Sequence, residues 1–436
     1  MSNFSILPLD KLNVLRFGGV QMRTFHITWV TFFFCFFAWF GLAPLMPIIR
    51  EEFHFTKPQI GNIVIASVSA TILARLIIGR LCDTIGPRIT YTGLLIFGAI
   101  PTLLVGLSHD YTTFLCFRLA IGVIGASFVL TQFHTSVMFA PNIVGTANAV
   151  AGGWGNLGGG ITNMVMPLIF AAIVGMGYAK SDAWRLAMLF PGTMLLILAF
   201  VYFKFTKDTP KGNYADIERT AVKKGSMKDA AKDWRTWSLF FAYAACFGIE
   251  ITFDNIAAIY FVDTFHADLA TAGLLAGTFG FMNIFARALG GIVADRVGKK
   301  LGMKGKGWLL ASLLVMEGAG IMLFAKAGNL PTAIFAMVSF ALFLKMANGA
   351  TYAIVPFVNR ENVGSVAGIV GAGGNVGGMM AGFLFKAQSL GYGMAFVIIG
   401  GIVMAIGGLV GLTKFETKEQ TVDITLEGAI LEPVKA

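Results

Sequence analysis

The stretch RLIIGRLCDTIG, from Arg75 to Gly86, returns in altered form as RALGGIVADRVG, from Arg287 to Gly298. The arginine, the aspartate and two glycines keep the same spacing in both copies, which lie 212 residues apart. The chain is therefore a duplicated unit. Each copy places an arginine inside an otherwise apolar run, where a charge is costly and marks a functional site.

A second pair of related segments follows, AGGWGNLGGG at 151–160 and GAGGNVGGMM at 371–380. Each segment carries one asparagine among its glycines, Asn156 in the first and Asn375 in the second. An amide inside an apolar helix needs a partner, because burying it alone is costly. Two facing copies of an arginine and an asparagine predict a central site for a small anion.

Composition places the chain in a membrane. Of its 436 residues, 56% are hydrophobic and only 13% are charged, which is too apolar for a soluble surface. Twelve apolar segments each approach the roughly 20 residues that a bilayer-spanning helix needs. We therefore predict an all-α membrane protein with twelve transmembrane helices. The segments, numbered 1 to 12, are 26–49, 58–79, 90–108, 112–138, 144–175, 185–204, 236–262, 268–293, 307–325, 331–356, 363–386 and 392–413.

Basic residues predict the orientation in the membrane. With an even number of crossings, the side that carries both termini holds 23 Lys and Arg, and the opposite loops hold six. The positive-inside rule then places both termini in the cytoplasm of a multi-pass protein of the cell membrane. The net charge of +10 reflects this topology and contact with anionic lipid, not nucleic-acid binding.

Catalytic and metal-binding patterns are not found in the sequence. Four cysteines lie in or beside apolar segments without paired spacing, and five histidines are scattered. There is no HExxH, CxxC, Walker loop or Gly-x-Ser-x-Gly segment. We expect no enzyme activity, no cofactor and no metal.

The central polar stretch, 206–235, divides the chain into two halves of six helices, 1–205 and 236–414, followed by a polar tail at 415–436. A short surface helix is predicted near Ala215–Lys232. Two parallel halves joined by a cytoplasmic linker resemble the major facilitator superfamily. That resemblance implies a substrate site between the halves near the bilayer midplane.

The segments GRLCDTIGPR and GIVADRVGKK strengthen the resemblance. They are similar to the superfamily's Gly-x-x-x-Asp-Arg-x-Gly-x-Arg/Lys loop, found after helices 2 and 8. The resemblance implies ion pairs that hold the cytoplasmic side closed. In the first copy Thr84 stands where arginine is usual, so its set of ion pairs is weaker. Arg118, with Gly122, forms a further Arg-x-x-x-Gly pattern, echoed by Lys345 and Gly349, and we predict structural or gating roles for both. The predicted gating residues are Asp83, Arg88, Asp295, Arg296 and Arg118.

The glycine-rich segments narrow the family. Both resemble the signature segments of the nitrate/nitrite porter family, on helices 5 and 11. The resemblance implies that Arg75 and Arg287 bind the anion, since the planar donors of guanidinium match a flat oxyanion. It favours substrate-facing roles for Asn156 and Asn375. Glycines spaced three and four apart let another helix approach closely, with simple packing as the alternative. They are Gly152, Gly155, Gly159, Gly371, Gly374 and Gly378.

Aromatic residues complete the predicted cavity. The family resemblance places a phenylalanine 28 residues before the helix-5 asparagine, which is Phe128, and a tyrosine and a phenylalanine on helix 7, which are Tyr243 and Phe247. A flat, weakly hydrated anion can lie against ring faces or edges while polar donors bind its oxygens. Tyr352 is a looser candidate.

Proton coupling is predicted from segment 7. Tyr243, Phe247, Glu250 and Asp254 fall on one helical face, which directs both carboxylates toward the cavity. FGIEITFDN, from Phe247, resembles the proton-coupled nitrate uptake branch of the family. A carboxylate can neutralise arginine in the empty site and bind a proton when the anion arrives. Glu250 is the first candidate and Asp254 the second. The alternative places both acids at the extracellular end, solvated or paired with a loop base.

These observations predict a monomeric secondary transporter that moves nitrate, with nitrite as a second substrate, by alternating access and together with a proton. Three alternatives remain. The chain could exchange nitrate for nitrite, it could carry another small anion or carboxylate, or it could be a transporter-like sensor that binds the anion without moving it.

Overall fold

The computed structural model describes residues 7–140, 143–216, 227–359, 363–387 and 389–415, in which every regular element is helical. Residues 217–226 of the linker and all but the first residue of the predicted tail lie outside these ranges. These ranges contain sixteen α-helices. They are α1 Val20–Phe40, α2 Met46–Phe53, α3 Lys57–Ile85, α4 Pro87–Leu104, α5 Tyr111–Gly122, α6 Ser127–Met138, α7 Val144–Gly175, α8 Lys180–Ala187, α9 Leu189–Phe205, α10 Met227–Lys232, α11 Trp234–Phe265, α12 Leu269–Phe281, α13 Ala286–Ala325, α14 Leu330–Tyr352, α15 Val363–Lys386 and α16 Tyr392–Leu412.

Eleven stretches of the described chain are long and apolar enough to cross a bilayer. One of them, Leu269–Ala325, has 57 residues. As a straight helix it would be roughly 86 Å long, almost three times the bilayer core. Inside it, Gly302 has a non-helical backbone, with φ 62° and ψ −158°. The Lys306 ammonium lies 2.7 Å from the Asp295 carboxylate, although these positions would be about 16 Å apart on a straight helix. The chain therefore reverses at Gly302, and predicted segments 8 and 9 are two crossings of the predicted twelve.

Short 3₁₀ turns interrupt two of the other crossings. Ala43–Leu45 joins α1 to α2, and Val123–Ala126 joins α5 to α6. Two helix starts outside the membrane are capped by Asp110 and Asp268. The Asp110 side chain accepts hydrogen bonds from the backbone N–H groups of Thr112 and Thr113, and these bonds lower the pKa of its carboxyl. Asp268 caps α12 in the same way. Such caps satisfy backbone donors that the first helical turn leaves unpaired.

The predicted surface helix in the linker is only partly described. Tyr214–Asp216 forms a 3₁₀ turn and Met227–Lys232 forms α10, with the intervening residues outside the described ranges. We call the end of the bundle that carries α10 the linker end, and the opposite end, which carries α2, the far end. We call residues 1–205 the N-terminal half and residues 236–414 the C-terminal half, with the bounds predicted above.

The halves meet along two helix pairs, α3 with α15 and α7 with α12. The internal duplication relates these two pairs. It matches α3 to α12 together with the start of α13, and it matches α7 to α15, so each pair is the counterpart of the other. Glycines permit the close approach: a Cβ on Gly160 would collide with the backbone of Gly280, and one on Gly61 with the backbone of Lys386.

Direct hydrogen bonds between the halves lie in the middle of the bundle and at its far end. At the far end, Arg50 in α2 forms a bidentate ion pair with Asp263 in α11, both oxygens at 2.6 Å. Deeper in the bundle, Ser67 and Arg118 both donate to the Asn255 side chain of α11. These bonds hold the far ends of the halves together.

Candidate anion-binding site

Arg75 and Arg287 are buried in the middle of the bundle, and each is 8% exposed. Arg75 Nη1 donates to the backbone oxygen of Gly371 at 2.8 Å, while its Nε and Nη2 have no partner. Arg287 Nη2 donates to the Tyr243 hydroxyl at 2.9 Å, while its Nη1 has no partner. Neither guanidinium forms an ion pair within the described chain. Each therefore keeps N–H donors free for an oxyanion.

A row of four aromatic rings connects the two arginines. Phe128 of the N-terminal half lies edge-on to Tyr352, with ring centres 6.3 Å apart. Tyr352 lies 5.1 Å from Tyr243, which stacks on Phe247 at 5.0 Å. The Arg75 guanidinium lies 5.4 Å from the Phe128 ring centre, and that of Arg287 lies 5.8 Å from the Phe247 ring centre. The structure thus brings both predicted arginines and all three predicted aromatic residues together.

Tyr352, only a looser candidate in the sequence, lies at the centre of this row. Its hydroxyl is within electrostatic reach of both arginine guanidinium groups. It also lies 3.4 Å from where a Cβ on Gly371 would stand. No motif marks Tyr352, so only the tertiary packing, which brings the last residue of α14 against Phe128 of the N-terminal half, reveals its position.

The two signature asparagines are buried without partners. Asn156 is 1% exposed and Asn375 is fully buried, and neither the side-chain nitrogen nor the oxygen of either residue has a hydrogen-bond partner. An unpaired buried polar group costs about 1–3 kcal/mol. Asn375 adjoins Gly374, which packs against the rings of Tyr243 and Phe247. The unpaired amides therefore lie on α7 and α15, whose glycines Gly152 and Gly374 contact rings of the aromatic row.

The signature glycines face neighbouring helices, not lipid. Gly374 leaves no room for a Cβ beside Phe247 and Tyr243, and Gly155 leaves none beside the ring of Phe32. The other four glycines also lie against side chains of neighbouring helices. These contacts are Gly152 with Gln132, Gly159 with Phe40, Gly371 with Tyr352, and Gly378 with Ile251.

Glu250 lies inside the C-terminal half and is 2% exposed. Its Oε1 accepts hydrogen bonds from Lys345 Nζ at 3.0 Å and from Asn283 Nδ2 at 2.6 Å. Its Oε2 accepts one from Asn348 Nδ2 at 2.6 Å. Glu250 is thus neither solvated nor paired with a loop base, and its partner Lys345 comes from the middle of α14.

Asp254, one turn further along α11, is 4% exposed, and its Oδ1 has no partner. Its Oδ2 lies 3.3 Å from where a Cβ on Gly159 would stand. Asp254 therefore faces α7 of the other half, whereas Glu250 is bonded within its own half.

The predicted gating residues lie in different parts of the structure. Arg118 is 1% exposed and donates to the backbone oxygen of Trp39 and to Asn255 Oδ1, so it joins the halves. Asp295 pairs with Lys306 within the C-terminal half. Arg296 is exposed.

In the first loop, Arg88 donates to the backbone oxygen of Phe203 at 2.9 Å and lies over its ring. The side chain of Asp83 lies outside the described residues. Asp208, at the start of the linker, accepts the backbone N–H of Arg88 at 2.8 Å. The Asp208 carboxylate occupies the space that a side chain on Gly86 would need.

No sequence motif marks several polar residues that join the halves or surround Glu250. Arg50 and Asp263, which pair at the far end, are two of them. The amides that bond Glu250 and Arg118 were also missed, although each is an asparagine inside an apolar segment. The signal that identified Asn156 and Asn375 would have found them. They are Asn255, Asn283 and Asn348.

Comparisons with known proteins agree with this architecture. The sequence matches the model of the Major Facilitator Superfamily over residues 28–382. It is 39% identical to "High affinity nitrate transporter 2.5" of Arabidopsis thaliana, over 87% of this chain and 78% of that protein. It is 40% identical to "Nitrate transporter 2.1" of Chlamydomonas reinhardtii, over 84% of this chain and 68% of that protein.

More distant similarities extend the comparison. The chain is 28% identical to "Nitrate/nitrite transporter NrtP" of Picosynechococcus, over 83% of this chain and 84% of that protein. The crystal structure of a bacterial homologue of the human lysosomal transporter Spinster, inward-facing and unoccupied, superposes with a TM-score of 0.68 at 15% identity. That match covers 90% of this chain and 97% of the other, and it shows the fold alone.

A twelve-helix bundle of this fold defines a membrane transporter, not an enzyme. The chain belongs to the Major Facilitator Superfamily and, within it, to the nitrate/nitrite porter family. The family resemblance drawn from the two signature segments is thereby confirmed.

Proposed function

We propose that this protein is a secondary active transporter that moves nitrate across the cell membrane by alternating access, with nitrite as a second substrate. The observation that carries the proposal is the pair of buried arginines, each with free N–H groups, that both lie within electrostatic reach of the Tyr243 and Tyr352 hydroxyls. The relatives named as nitrate transporters support the choice of anion.

The geometry suits a small planar oxyanion. Guanidinium is planar and presents paired donors, so two arginines can bind different oxygens of one trigonal anion. The ring faces and edges between them suit a delocalised, weakly hydrated charge. The free amides of Asn156 and Asn375 can donate to the remaining oxygens. A larger carboxylate would have to displace the tightly packed rings, which disfavours a carboxylate as the substrate.

Alternating access is supported by the distribution of contacts between the halves. The Arg50–Asp263 ion pair and the Arg118–Asn255 bond hold the far end together. The basic residues favour a cytoplasmic linker end, so the state described is closed toward the outside. Transport requires these contacts to break while the halves rock, and the glycine contacts between α7 and α12 permit such movement.

Proton symport is supported by the charges around the site. Two unpaired guanidinium groups bind one anion, so a nearby acid can balance the charge during the cycle. Glu250 accepts a bond from Asn283, which lies four residues before Arg287. An anion that moves Arg287 therefore perturbs the surroundings of Glu250. We propose that the acids of α11, Glu250 first and Asp254 second, couple proton and anion movement.

The proposal is tested by the flux of labelled nitrate into proteoliposomes that contain the purified protein. With an inward proton gradient, we expect nitrate to accumulate above its equilibrium level, and unlabelled nitrite to compete. Uptake only into vesicles preloaded with nitrite would indicate antiport. Binding without flux would indicate a sensor and would refute transport.

Substitution of the acids tests the coupling. Glu250→Gln should lose proton-driven accumulation while retaining some exchange of labelled for unlabelled nitrate. Asp182→Asn, at an exposed position, is the control. Proton-driven uptake that survives unchanged in both Glu250→Gln and Asp254→Asn would refute a coupling role for these two acids.

We further propose that the protein functions as a monomer in contact with lipid, with both termini in the cytoplasm. Its many exposed large apolar side chains, such as Leu73, Phe200 and Phe335, suit a lipid environment. The anion and the proton are the small partners that this function requires.

A further inference from the structure

Glu317 is a buried acid that no sequence motif marks. It lies in the second crossing of α13 and is fully buried, and neither of its carboxyl oxygens has a hydrogen-bond partner. An ionised carboxylate in such a place carries a large desolvation penalty that no hydrogen bond offsets. The neutral, protonated carboxyl carries a much smaller penalty.

The charged groups around Glu317 form one cluster with the proposed coupling residues. Glu317 is within electrostatic reach of Glu250 and Lys345, and of the Cys246 thiol. Lys345 is the only acidic or basic residue of α14, and α16 has none. On α11, Asp254 lies one turn beyond Glu250 and also interacts with Lys345. The cluster thus has three carboxyl groups and a single lysine, with Arg287 beside Glu250.

Glu250 and Glu317 differ in their hydrogen bonds. Glu250 has three donors on its two oxygens, and one of these donors is an ammonium. Donors of this kind favour the ionised form. Glu317 has none, so the same cluster favours its neutral form. In the described state Glu250 is therefore the counter-ion of Lys345, whereas Glu317 has no hydrogen bond that holds it ionised and can exchange a proton.

We propose that Glu317 is a proton-binding site of the transport cycle, neutral while Lys345 pairs with Glu250 and ionised when Lys345 turns toward it. The inference rests on the proposed symport. It assigns the bound proton to Glu317 of α13 instead of the acids of α11. When Lys345 turns, the O–H bond of the Glu317 carboxyl breaks and the proton passes to water admitted by the moving halves. The ammonium then compensates the carboxylate that is formed.

The link to the anion passes through residues already described. Asn283 bonds Glu250 and precedes Arg287 by four residues, and Glu250 holds Lys345. Movement of Arg287 toward a bound anion withdraws its charge from Glu250, so Lys345 stays on Glu250 and Glu317 stays neutral. When the anion leaves, Arg287 returns toward Glu250 and frees Lys345 to turn toward Glu317. In this arrangement, Glu250→Gln also uncouples transport, because Lys345 then pairs permanently with Glu317.

The test compares Glu317→Gln with the parent in proteoliposomes, by nitrate counterflow, gradient-driven accumulation and proton uptake reported by a trapped pH dye. Glutamine mimics the neutral acid, so we expect counterflow within twofold of the parent, at least a tenfold loss of accumulation, and no proton uptake. Glu317→Asp should retain proton uptake. Asp182→Asn is the exposed control.

The outcomes distinguish a failure of the proposed symport from a failure of the proposed Glu317 site. A parent that moves nitrate without protons refutes the symport, and the Glu317 site with it. A parent that moves protons, together with a Glu317→Gln variant that moves them equally well, refutes the Glu317 site alone. If Glu317→Gln fails to fold, infrared spectra decide: a neutral buried carboxyl band that remains in Asp254→Asn and disappears on proton release supports the site. A spectrum without such a band overturns it.

Discussion

Arg75 in the N-terminal half donates a hydrogen bond of 2.8 Å to the backbone oxygen of Gly371 in the C-terminal half. A residue proposed to bind the anion therefore also bridges the two halves. The carbonyl is a neutral acceptor, and an anion makes a stronger, charge-assisted bond to the same N–H group. Anion binding can thus replace this bridge and, in doing so, change how the halves are held together.

Arg75→Lys and Arg287→Lys should each lower nitrate transport by about 10- to 100-fold, the loss expected for one or two charge-assisted hydrogen bonds. Lysine keeps the charge but offers no planar fork. Nitrate uptake at matched expression measures the effect. Arg16→Lys, at an exposed position, is the control. Transport close to that of the parent in either variant would contradict the assignment.

Gly374→Ala should slow transport much more than Gly368→Ala, on the same helix. A Cβ at position 374 collides with the Tyr243 and Phe247 rings, whereas one at 368 meets nothing within 4 Å. Overpacking of this kind costs about 1–3 kcal/mol. Nitrate affinity and turnover, compared with the amount of protein in the membrane, measure the effect. Equal transport in the two variants would mean that the aromatic row tolerates displacement.

Asn156→Leu and Asn375→Leu should weaken nitrate binding yet raise the thermal stability of the empty protein. Each removes a buried amide that has no partner, and the expected gain is on the order of 1 kcal/mol. Asn348→Leu is the contrasting control, because it removes a donor to Glu250 and should lower stability. Melting temperatures with and without nitrate distinguish the cases. A destabilised Asn156→Leu protein would indicate a structural partner for that amide.

Asn255→Asp should trap the protein in the described state, whereas Asn255→Ala should release it. Arg118 donates to the Asn255 amide oxygen across the halves, and a carboxylate there would form a buried ion pair that is costly to separate. We expect turnover in the Asp variant to fall at least about tenfold, the effect of 1.4 kcal/mol on a barrier. Distances between spin labels at the linker ends of the halves report the trapped state. Unchanged turnover and distances in the Asp variant would refute this prediction.

Arg50→Ala or Asp263→Ala should loosen the far end and increase its accessibility to a thiol reagent at an introduced cysteine. The two side chains are 30% and 22% exposed, so solvent screens the pair and its contribution is about 1 kcal/mol or less. The exchanged pair, Arg50→Asp with Asp263→Arg, should restore closure. A cavity of about 490 Å³ that includes Arg50 lies at this end and gives the reagent access. If the introduced cysteine is labelled to the same extent in the single variants and in the double variant with the exchanged pair, the ion pair does not control closure.

Local sequence determined where this chain crosses the membrane. Apolar runs specify crossings because every backbone group in the bilayer must be bonded within a helix. The predicted segment 144–175 has the same bounds as α7. Segments 8 and 9 are likewise separate crossings, as predicted, although α13 spans both, because the chain reverses at Gly302. The duplicated arginines and asparagines could likewise be found from sequence, because polar residues in apolar runs are rare.

What only the tertiary structure decided is the partner of each polar group. Helical periodicity places Glu250 on the same face as Tyr243, but it cannot show that Lys345, 95 residues later, binds the carboxylate. It cannot show that Arg118 bonds to Asn255 and not to an acid, or that Tyr352 lies between the two arginines. Periodicity specifies the depth and the face of a side chain. Its partners depend on which helix packs against that face, and contacts between segments distant in sequence determine which helix that is.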